Sequence, residues 1–450
     1  VQKTIVRGLR SNLHSVPTDC PQRDERLGWM GDAQIIAPTA SYNMNMALFF
    51  SKWMRDITDS QDEEEGFVHD VNPAIVVEGP SKPGWGDAVV VVPWAVWKFY
   101  GDTRIIEENY EGMAAWIAWM DRQSKDDIYV WANETGEWFG YSDWIAPEET
   151  SGKVVGSAYY FYCNRLMSEM AAAIGRNADA DRYAEKARRI KQAFNREYFN
   201  EETGSYENGT QTANLLPLAF GLVPEEQKKR VTDYLVKNVE ERGKHLSTGF
   251  LGTAYLLPIL SDAGYHELAW EVATQVTYPS WGYMIQNGAT SVWELWDSNQ
   301  QPPDKMNSRN HFALGSVGEW YFSHLGGLRP DPAKPGFKNT IIAPMPVGSL
   351  TSASSSHLSA YGEVASEWAL ADKTFSLKVK VPANTTARVV LPLKDYESPL
   401  VTESGATVFS EGQATGNVKG INAVRLADGA LIIETGAGNY EFVVKERPAT

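Results

Sequence analysis

Asp181-Arg182-Tyr183-Ala184-Glu185-Lys186-Ala187-Arg188-Arg189-Ile190-Lys191-Gln192-Ala193-Phe194-Asn195-Arg196-Glu197-Tyr198-Phe199 sets Tyr183, Ala187, Ile190, Phe194 and Tyr198 three or four positions apart among charged residues. That is the period of a helix with one apolar stripe toward a core. A neighbouring segment repeats the pattern. Pro224 suits a first helical turn, Val231, Tyr234, Leu235 and Val239 share a face, and Gly243 marks the end. Working outward, similar segments fall near residues 33–55, 87–100, 104–122, 157–174, 210–221, 249–260, 264–277 and 311–324. Helices in consecutive pairs predict a hairpin array, either an open solenoid or a closed barrel. No fixed repeat of solenoid length is present. The connections at 79–87, 138–150 and 279–287 are long and rich in Gly, Trp and Asp. Such loops suit a site gathered at one end of a barrel, so a closed (α/α)6 barrel is the better expectation.

Beyond Gly326 the pattern changes. Residues 327–336 (Gly-Leu-Arg-Pro-Asp-Pro-Ala-Lys-Pro-Gly) read as a linker. After it, Phe375, Leu377, Val379 and Val381 alternate with Ser376, Lys378 and Lys380 as in a half-buried strand. Residues 386–391, 423–426, 430–435 and 440–445 read as further strands. The fold class expected is mainly α with a β domain: a barrel over 1–326 and a C-terminal β-sandwich over 327–450.

A chain of 450 residues is long enough for two domains and a sizeable core. With 57 acidic against 41 basic residues the net charge is -16, which disfavours nucleic-acid phosphates and anionic membranes. The densest basic runs, Lys186 to Arg189 and Lys228 to Arg230, lie on charged helix faces. No stretch approaches the roughly 18 apolar residues of a membrane span. Cys20 and Cys163 are too few for a disulfide framework or a multi-cysteine metal site. The 16 Trp and 20 Tyr suit sugars, whose C–H faces stack while hydroxyls seek polar partners, although core packing accounts for aromatic residues equally well. Asn133-Glu134-Thr135, Asn208-Gly209-Thr210 and Asn384-Thr385-Thr386 match glycosylation acceptors, a triplet common by chance. The chain starts at Val1 rather than Met, so upstream sequence is expected to have been removed, and localisation stays open between secreted, periplasmic and cytoplasmic.

Chemistry concentrates in three segments. Thr18-Asp19-Cys20-Pro21-Gln22-Arg23-Asp24-Glu25-Arg26-Leu27-Gly28-Trp29-Met30-Gly31-Asp32-Ala33-Gln34 packs four carboxylates, two guanidiniums and a Trp into a loop broken by Pro21, Gly28 and Gly31. Asp32 reads equally as a helix cap, and Asp24 with Arg26 as a surface pair. Glu25, between Arg23 and Trp29, is the carboxyl whose partial burial is expected to raise its pKa and hold it as a proton donor. In Asn287-Gly288-Ala289-Thr290-Ser291-Val292-Trp293-Glu294-Leu295-Trp296-Asp297, Glu294 sits between two Trp in apolar surroundings. It reads as a working carboxylate or as a core glutamate paired with an Arg. The third segment runs from Ser308 to Trp320 and contains His311, by itself more often a structural histidine than a catalytic one.

Together the segments Asp19 to Gln34, Gly288 to Asp297 and Asn310 to Trp320 resemble the signatures of bacterial-type α-L-rhamnosidases, glycoside hydrolase family 78. The resemblance spans nearly all of the chain and implies a six-hairpin barrel, a C-terminal β-sandwich and hydrolysis with inversion. Typical members carry a β-rich region before the barrel, so a truncated or short form is implied. By position, Glu25 resembles the general acid and Glu294 the general base. Asp19, Arg23 and Asp32 resemble residues that hold rhamnose hydroxyls, Trp29 an aromatic wall, and His311 a histidine that contacts the sugar. Trp85 in Gly84-Trp85-Gly86-Asp87 and Trp144 in Ser142-Asp143-Trp144 correspond to further pocket aromatics. The implied partner is a rhamnose-containing oligosaccharide, polysaccharide or glycoside, with no metal or other cofactor required and the oligomeric state open. The rivals are an inverting barrel glycosidase with another sugar specificity, a sugar-binding relative without chemistry, and a helical scaffold for protein partners. The last would not require acidic and aromatic residues in irregular loops.

Overall fold

The computed structural model describes residues 1–130, 140–415 and 418–447, which leaves the Asn133-Glu134-Thr135 triplet and the start of the 138–150 connection outside. Two compact units result. The first comprises Val1–Ser41, Met46–Val96 and Thr103–Gly318; the second comprises Tyr42–Asn45, Trp97–Asp102 and Glu319–Thr450.

The first unit is a double ring of helices, and its order follows from which faces the sequence makes apolar. Helices α1 (Gln2–Asn12), α3 (Ala47–Asp59), α5 (Arg104–Arg122), α7 (Asn177–Tyr198), α9 (Glu225–Glu241) and α11 (His266–Ala273) are amphipathic. Helices α2 (Met30–Asn43), α4 (Ala88–Tyr100), α6 (Gly152–Ala173), α8 (Gln211–Phe220) and α10 (Phe250–Asp262) are apolar or small on nearly every side. A helix apolar all round is stable only when covered on all sides. The second group therefore forms the inner ring and the first covers it. A 3-10 segment, Ala313–Val317, packs on α10 and completes the sixth hairpin with α11. The stripe read at 181–199 is outer helix α7, with Tyr183, Ala187, Ile190, Phe194 and Tyr198 buried.

Several expectations need adjustment. The segment near 33–55 is two helices, α2 and α3. The helix expected at 311–324 is a succession of 3-10, α and π turns over Ala313–Leu325. Helix α1 and a short helix, α12 (Trp281–Gln286), had no counterpart in the sequence reading. No helix among the described residues is long and apolar enough to cross a membrane.

In the second unit, strands β1 (Leu328–Pro330), β2 (Asn339–Ile342), β6 (Thr386–Pro392), β10 (Ile421–Ala427) and β11 (Ala430–Thr435) form a five-stranded sheet ordered β10-β11-β6-β2-β1. Strands β3 (Ser352–Ser359), β4 (Gly362–Ala371), β5 (Thr374–Val381), β7 (Pro399–Glu403), β8 (Ala406–Ser410), β9 (Gln413–Ala414) and β12 (Gly438–Glu446) form a seven-stranded sheet ordered β9-β8-β7-β12-β5-β4-β3. Leu377, Val379, Phe442 and Val444 of one sheet share a single core with Val389, Leu391, Leu431 and Ile433 of the other, as in a β-sandwich. The expected linker at 327–336 is instead part of this unit. Leu328 is fully buried, β1 pairs with β2, and Asp331 closes a turn onto Lys334. Its Pro and Gly residues serve a tight turn rather than a flexible tether.

Candidate active site

Loops that lead into the N-terminal ends of α2, α4, α6 and α10, and into Ala313–Val317, converge on a cavity of about 290 Å³. Its walls include every residue singled out from sequence: Asp19, Arg23, Glu25, Trp29, Asp32, Trp85, Trp144, Glu294 and His311. Tyr141, Phe250 and Asn307 complete it. These three were missed although each adjoins a segment that had been read. Tyr141 precedes Ser142-Asp143-Trp144 by one residue, Asn307 precedes Ser308, and Phe250 opens a helix expected at 249–260. Helix N-termini carry partial positive charge, which suits a cavity lined by four carboxyls and a single guanidinium.

The first segment is held by close backbone approach. A Cβ at Gly28 would lie 2.1 Å from the Asn72 carbonyl oxygen, and one at Gly31 would lie 2.5 Å from the Trp85 indole. Only glycine lets the loop pass Asn72 and lets α2 start against Trp85. Gln22 and Ser308 exchange hydrogen bonds at 2.9 and 3.1 Å, joining the first segment to the third. Asp24 and Arg26 form an exposed pair at 2.9 Å, as one of the simpler readings had it.

Glu294 is 4 % exposed and fully engaged. Its Oε1 accepts from Asn307 Nδ2 at 2.9 Å and Trp144 Nε1 at 3.4 Å; its Oε2 accepts from the Ser308 amide at 2.9 Å and faces Arg23 Nη2 at 3.3 Å. It is thus a buried glutamate paired with an Arg, as one reading held, yet it opens on the cavity. Its neighbours Trp293 and Trp296 are buried and do not line the cavity. Glu25 accepts from Trp29 Nε1 at 2.9 Å through Oε1, while Oε2 pairs with the same Arg23 Nη2. The Glu25 side chain is 26 % exposed. Burial raises two carboxyls of the cavity: Asp19, 2 % exposed, is pushed up to about 7 by desolvation, with Asp32 and Glu25 adding to the shift and His311 opposing it, and Asp32 is raised by desolvation against the hydrogen bond and charge of His311.

Asp32 lies in the first turn of α2. Its Oδ1 lies 3.0 Å from His311 Nε2, both side chains being buried. Burial alone pushes the imidazole down, but the hydrogen bond and charge of Asp32, backed by Glu294 and Asp19, reverse this and raise His311 to about 9. His311 is thus held as an imidazolium beside a carboxyl whose own pKa burial raises. Burial pushes the Cys20 thiol up to about 12, so it stays a neutral weak donor, 3.9 Å from Glu25 Oε2. Asp19, Cys20 and Glu25 are the group of close potential metal ligands found among the described residues. With a protonated thiol and a guanidinium already on Glu25, they fit a cation poorly.

A ring of helical hairpins with an acidic, Trp-walled pocket at one end is the architecture of six-hairpin glycosidases. The chain matches the family model described as the bacterial alpha-L-rhamnosidase 6 hairpin glycosidase domain over residues 1–325 and the bacterial alpha-L-rhamnosidase C-terminal domain over 327–405, and it belongs to that family. It is 38% identical to an alpha-L-rhamnosidase of Streptomyces avermitilis across 99% of this chain and 41% of that protein. A relative of the same name from Formosa agariphila is 36% identical across 99% of this chain and 47% of that protein. The chain therefore spans less than half the length of these relatives. Among solved structures, the Streptomyces avermitilis enzyme complexed with L-rhamnose superposes with a TM-score of 0.89 over 98% of this chain and 41% of its own. That from Aspergillus terreus gives 0.83 at 30% identity, over 98% of this chain and 48% of its own.

Proposed function

We propose that this protein is an inverting glycoside hydrolase that releases terminal α-L-rhamnose, with Glu25 as general acid and Glu294 as general base. Asp19, Arg23, Asp32 and His311 hold the sugar hydroxyls, and Trp29, Trp85 and Trp144 form the wall. The observation that carries the reading is two carboxylates, distant in the chain, facing one guanidinium inside an aromatic cavity. Rhamnose carries a methyl group where mannose has a hydroxymethyl, and an indole wall suits that methyl while the carboxylates and imidazolium suit the ring hydroxyls. Arg23 Nε, buried and without a hydrogen-bond partner among the described residues, is a donor available to such a ligand.

In an inverting site the acid protonates the leaving oxygen while the base activates water on the opposite face, with carboxyls roughly 6.5–9.5 Å apart. Here the two Oε2 atoms share one nitrogen and stand closer than that, while the Oε1 atoms diverge toward Trp29 on one side and Asn307 on the other. On the proposed mechanism the sugar draws Arg23 off Glu25, which then takes up a proton, and the space between the carboxyls admits sugar and water. The same closeness favours a second reading, retention through a glycosyl-Glu294 intermediate, for which roughly 5–5.5 Å is usual.

Turnover of a chromogenic α-L-rhamnoside, beside the matching α-L-mannoside and α-D-glucoside, tests the substrate. Apolar pockets reject an added hydroxyl only weakly, about 100-fold in a well-studied case, so a rhamnoside preference of that order is expected over the mannoside. Equal efficiency on the two would remove the apolar wall from the argument. Proton NMR of the first product tests the mechanism: β-L-rhamnose before mutarotation is expected, and initial α anomer would establish retention.

A further inference from the structure

Tyr141 was not among the residues read from sequence, yet its ring touches every indole of the pocket. The centroid lies 5.7 Å from Trp29 at 85° and 6.0 Å from Trp144 at 84°, both edge to face, and 4.7 Å from Trp85. Two of those indoles are the ones that hold the candidate catalytic carboxylates. Trp29 Nε1 donates to Glu25 at 2.9 Å and Trp144 Nε1 to Glu294 at 3.4 Å. One phenol ring thus packs against both indoles that hold the acid and the base.

The ring is itself anchored from outside the cavity. Tyr141 Oη donates to Asp70 Oδ2 at 3.0 Å, and the same oxygen takes Lys82 Nζ at 2.5 Å. Asp70 and Lys82 are 1 % and 7 % exposed. Ser81 Oγ and the Lys82 amide fill Asp70 Oδ1 at 2.7 and 2.9 Å, and Lys82 Nζ lies 5.5 Å from the Tyr141 ring centre. A buried ion pair of this kind contributes little net stability against a well-packed apolar replacement, but it fixes geometry, because every oxygen has an assigned donor. The loop it anchors needs fixing. Ser142 and Ile145 both have positive φ, 52° and 63°, and a β-branched residue adopts that conformation only when the surroundings impose it. On the far side of the same turn, Asp143 accepts from the Gly249, Leu251 and Gly252 amides at the start of α10, at 2.7, 2.8 and 3.2 Å, and from Thr212 Oγ1.

We propose that Tyr141 is a positioning residue for both candidate catalytic carboxylates, acting through Trp29 and Trp144, and that the buried Asp70–Lys82 pair fixes it in place. The inference rests on the functional reading above. Its chemistry is orientation: Tyr141 transfers no proton, but the directions of the two indole N–H groups follow from where its ring stands. Misplacement of reacting groups by an ångström through a distant change costs as much as 100-fold in rate.

Tyr141→Phe keeps the ring and removes only the tether to Asp70, leaving the ion pair with Lys82 intact. The expected result is a fall in kcat on the order of tenfold, KM changed much less, a moved limb in the pH–rate profile, and near-ultraviolet circular dichroism altered in the Trp region. Thermal stability should stay close to wild type. Trp29→Phe combined with Tyr141→Phe should cost less than the product of the single losses, since one path runs through the other. Wild-type kcat and pH profile in Tyr141→Phe, or a loss that appears only with a lowered Tm, would overturn the proposal. Absence of rhamnoside turnover in the wild-type protein would instead remove the functional reading. Circular dichroism, which needs no substrate, then decides the tether: a spectrum unchanged in Tyr141→Phe overturns it, and a changed one upholds it.

Discussion

Nη2 of Arg23 lies 3.3 Å from Oε2 of Glu294, and that same nitrogen is also the ion-pair partner of Glu25. A single cation thereby lets two carboxylates face one another across the cavity. Without it, like charges at that range disfavour joint ionisation, and one proton is retained to higher pH. Arg23→Met should therefore move the pH optimum upward by on the order of one unit and lower kcat/KM by about 10²-fold or more, with Arg23→Lys intermediate. Lys carries the charge on a compact, strongly hydrated ammonium and lacks the second donor, Nε, that Arg23 offers a ligand. The pH dependence of kcat/KM on a chromogenic rhamnoside checks this, and an unmoved profile in the Met variant would show that the shared contact has no part in turnover.

Glu25→Gln and Glu294→Gln separate the two proposed roles. General acid–base groups contribute about 10² to 10⁴ in rate. The Glu25 variant should lose most with alkyl leaving groups and least with an activated phenol, which departs with little protonation. Every substrate needs an activated water, so the Glu294 variant should lose equally on all. Equal losses across leaving groups in Glu25→Gln would take the acid role away from it.

How much of this was legible before the structure depends on where the determinant lies. The stripe Tyr183 to Tyr198 is local, so the outer helix could be read directly, and the Asp19 to Gln34 segment carries its spacing with it. The inner helices are apolar on all sides, so periodicity gave their existence but not their place in a ring. Helix α1 is amphipathic and readable in principle, but it lies ahead of the segment from which the helical pattern was followed. Strand β3, Ser352–Ser359, has five Ser and no β-branched residue, and owes its state to pairing with β4 along its whole length. In the site, the burial of Asp19 and Asp32 is what raises them, and no pattern of residue types encodes that. Tyr141 escaped notice because what marks it is contact with three Trp, two of them distant in the chain.

The Asp32–His311 pair makes a prediction about stability and pH. The folded imidazole is held up to about 9 against an unfolded value of 6.5. A raised pKa contributes stability that is present in full below about 6.5 and is lost as pH rises through 9. The difference corresponds to about 3 kcal/mol at most. His311→Asn, which keeps a donor toward Asp32 but no titrating ring, should therefore flatten the decline in stability between pH 6.5 and 9 in urea titrations of the first unit. A wild-type protein whose urea midpoint is constant across that window would exclude the imidazolium pair.

His357 in the sandwich should behave in the opposite sense. It is 3 % exposed, packed 4.4 Å from the Phe337 ring and 5.8 Å from Tyr42, with Phe99 at 6.1 Å. Neither ring nitrogen has a hydrogen-bond partner of ordinary geometry among the described residues. Burial lowers its pKa to about 4, with the Tyr42 main chain offsetting part of the shift. Between pH 6.5 and 4 the unfolded chain takes up a proton that the folded chain refuses, so stability is complete above 6.5 and falls as the pH drops toward 4. The loss amounts to about 3 kcal/mol across the window. His357→Phe supplies a ring of similar shape to an aromatic cage and removes the proton, at the cost of a modest volume increase in a packed core. It should unfold at a Tm that varies less with pH from 6.5 to 4 than wild type, with the gap between the two widening as acid is added. Calorimetric scans at half-unit pH steps read this directly. Parallel Tm curves for the two proteins would mean that His357 is protonated in the folded state or already neutral in the unfolded one, and would remove it as the source of acid sensitivity.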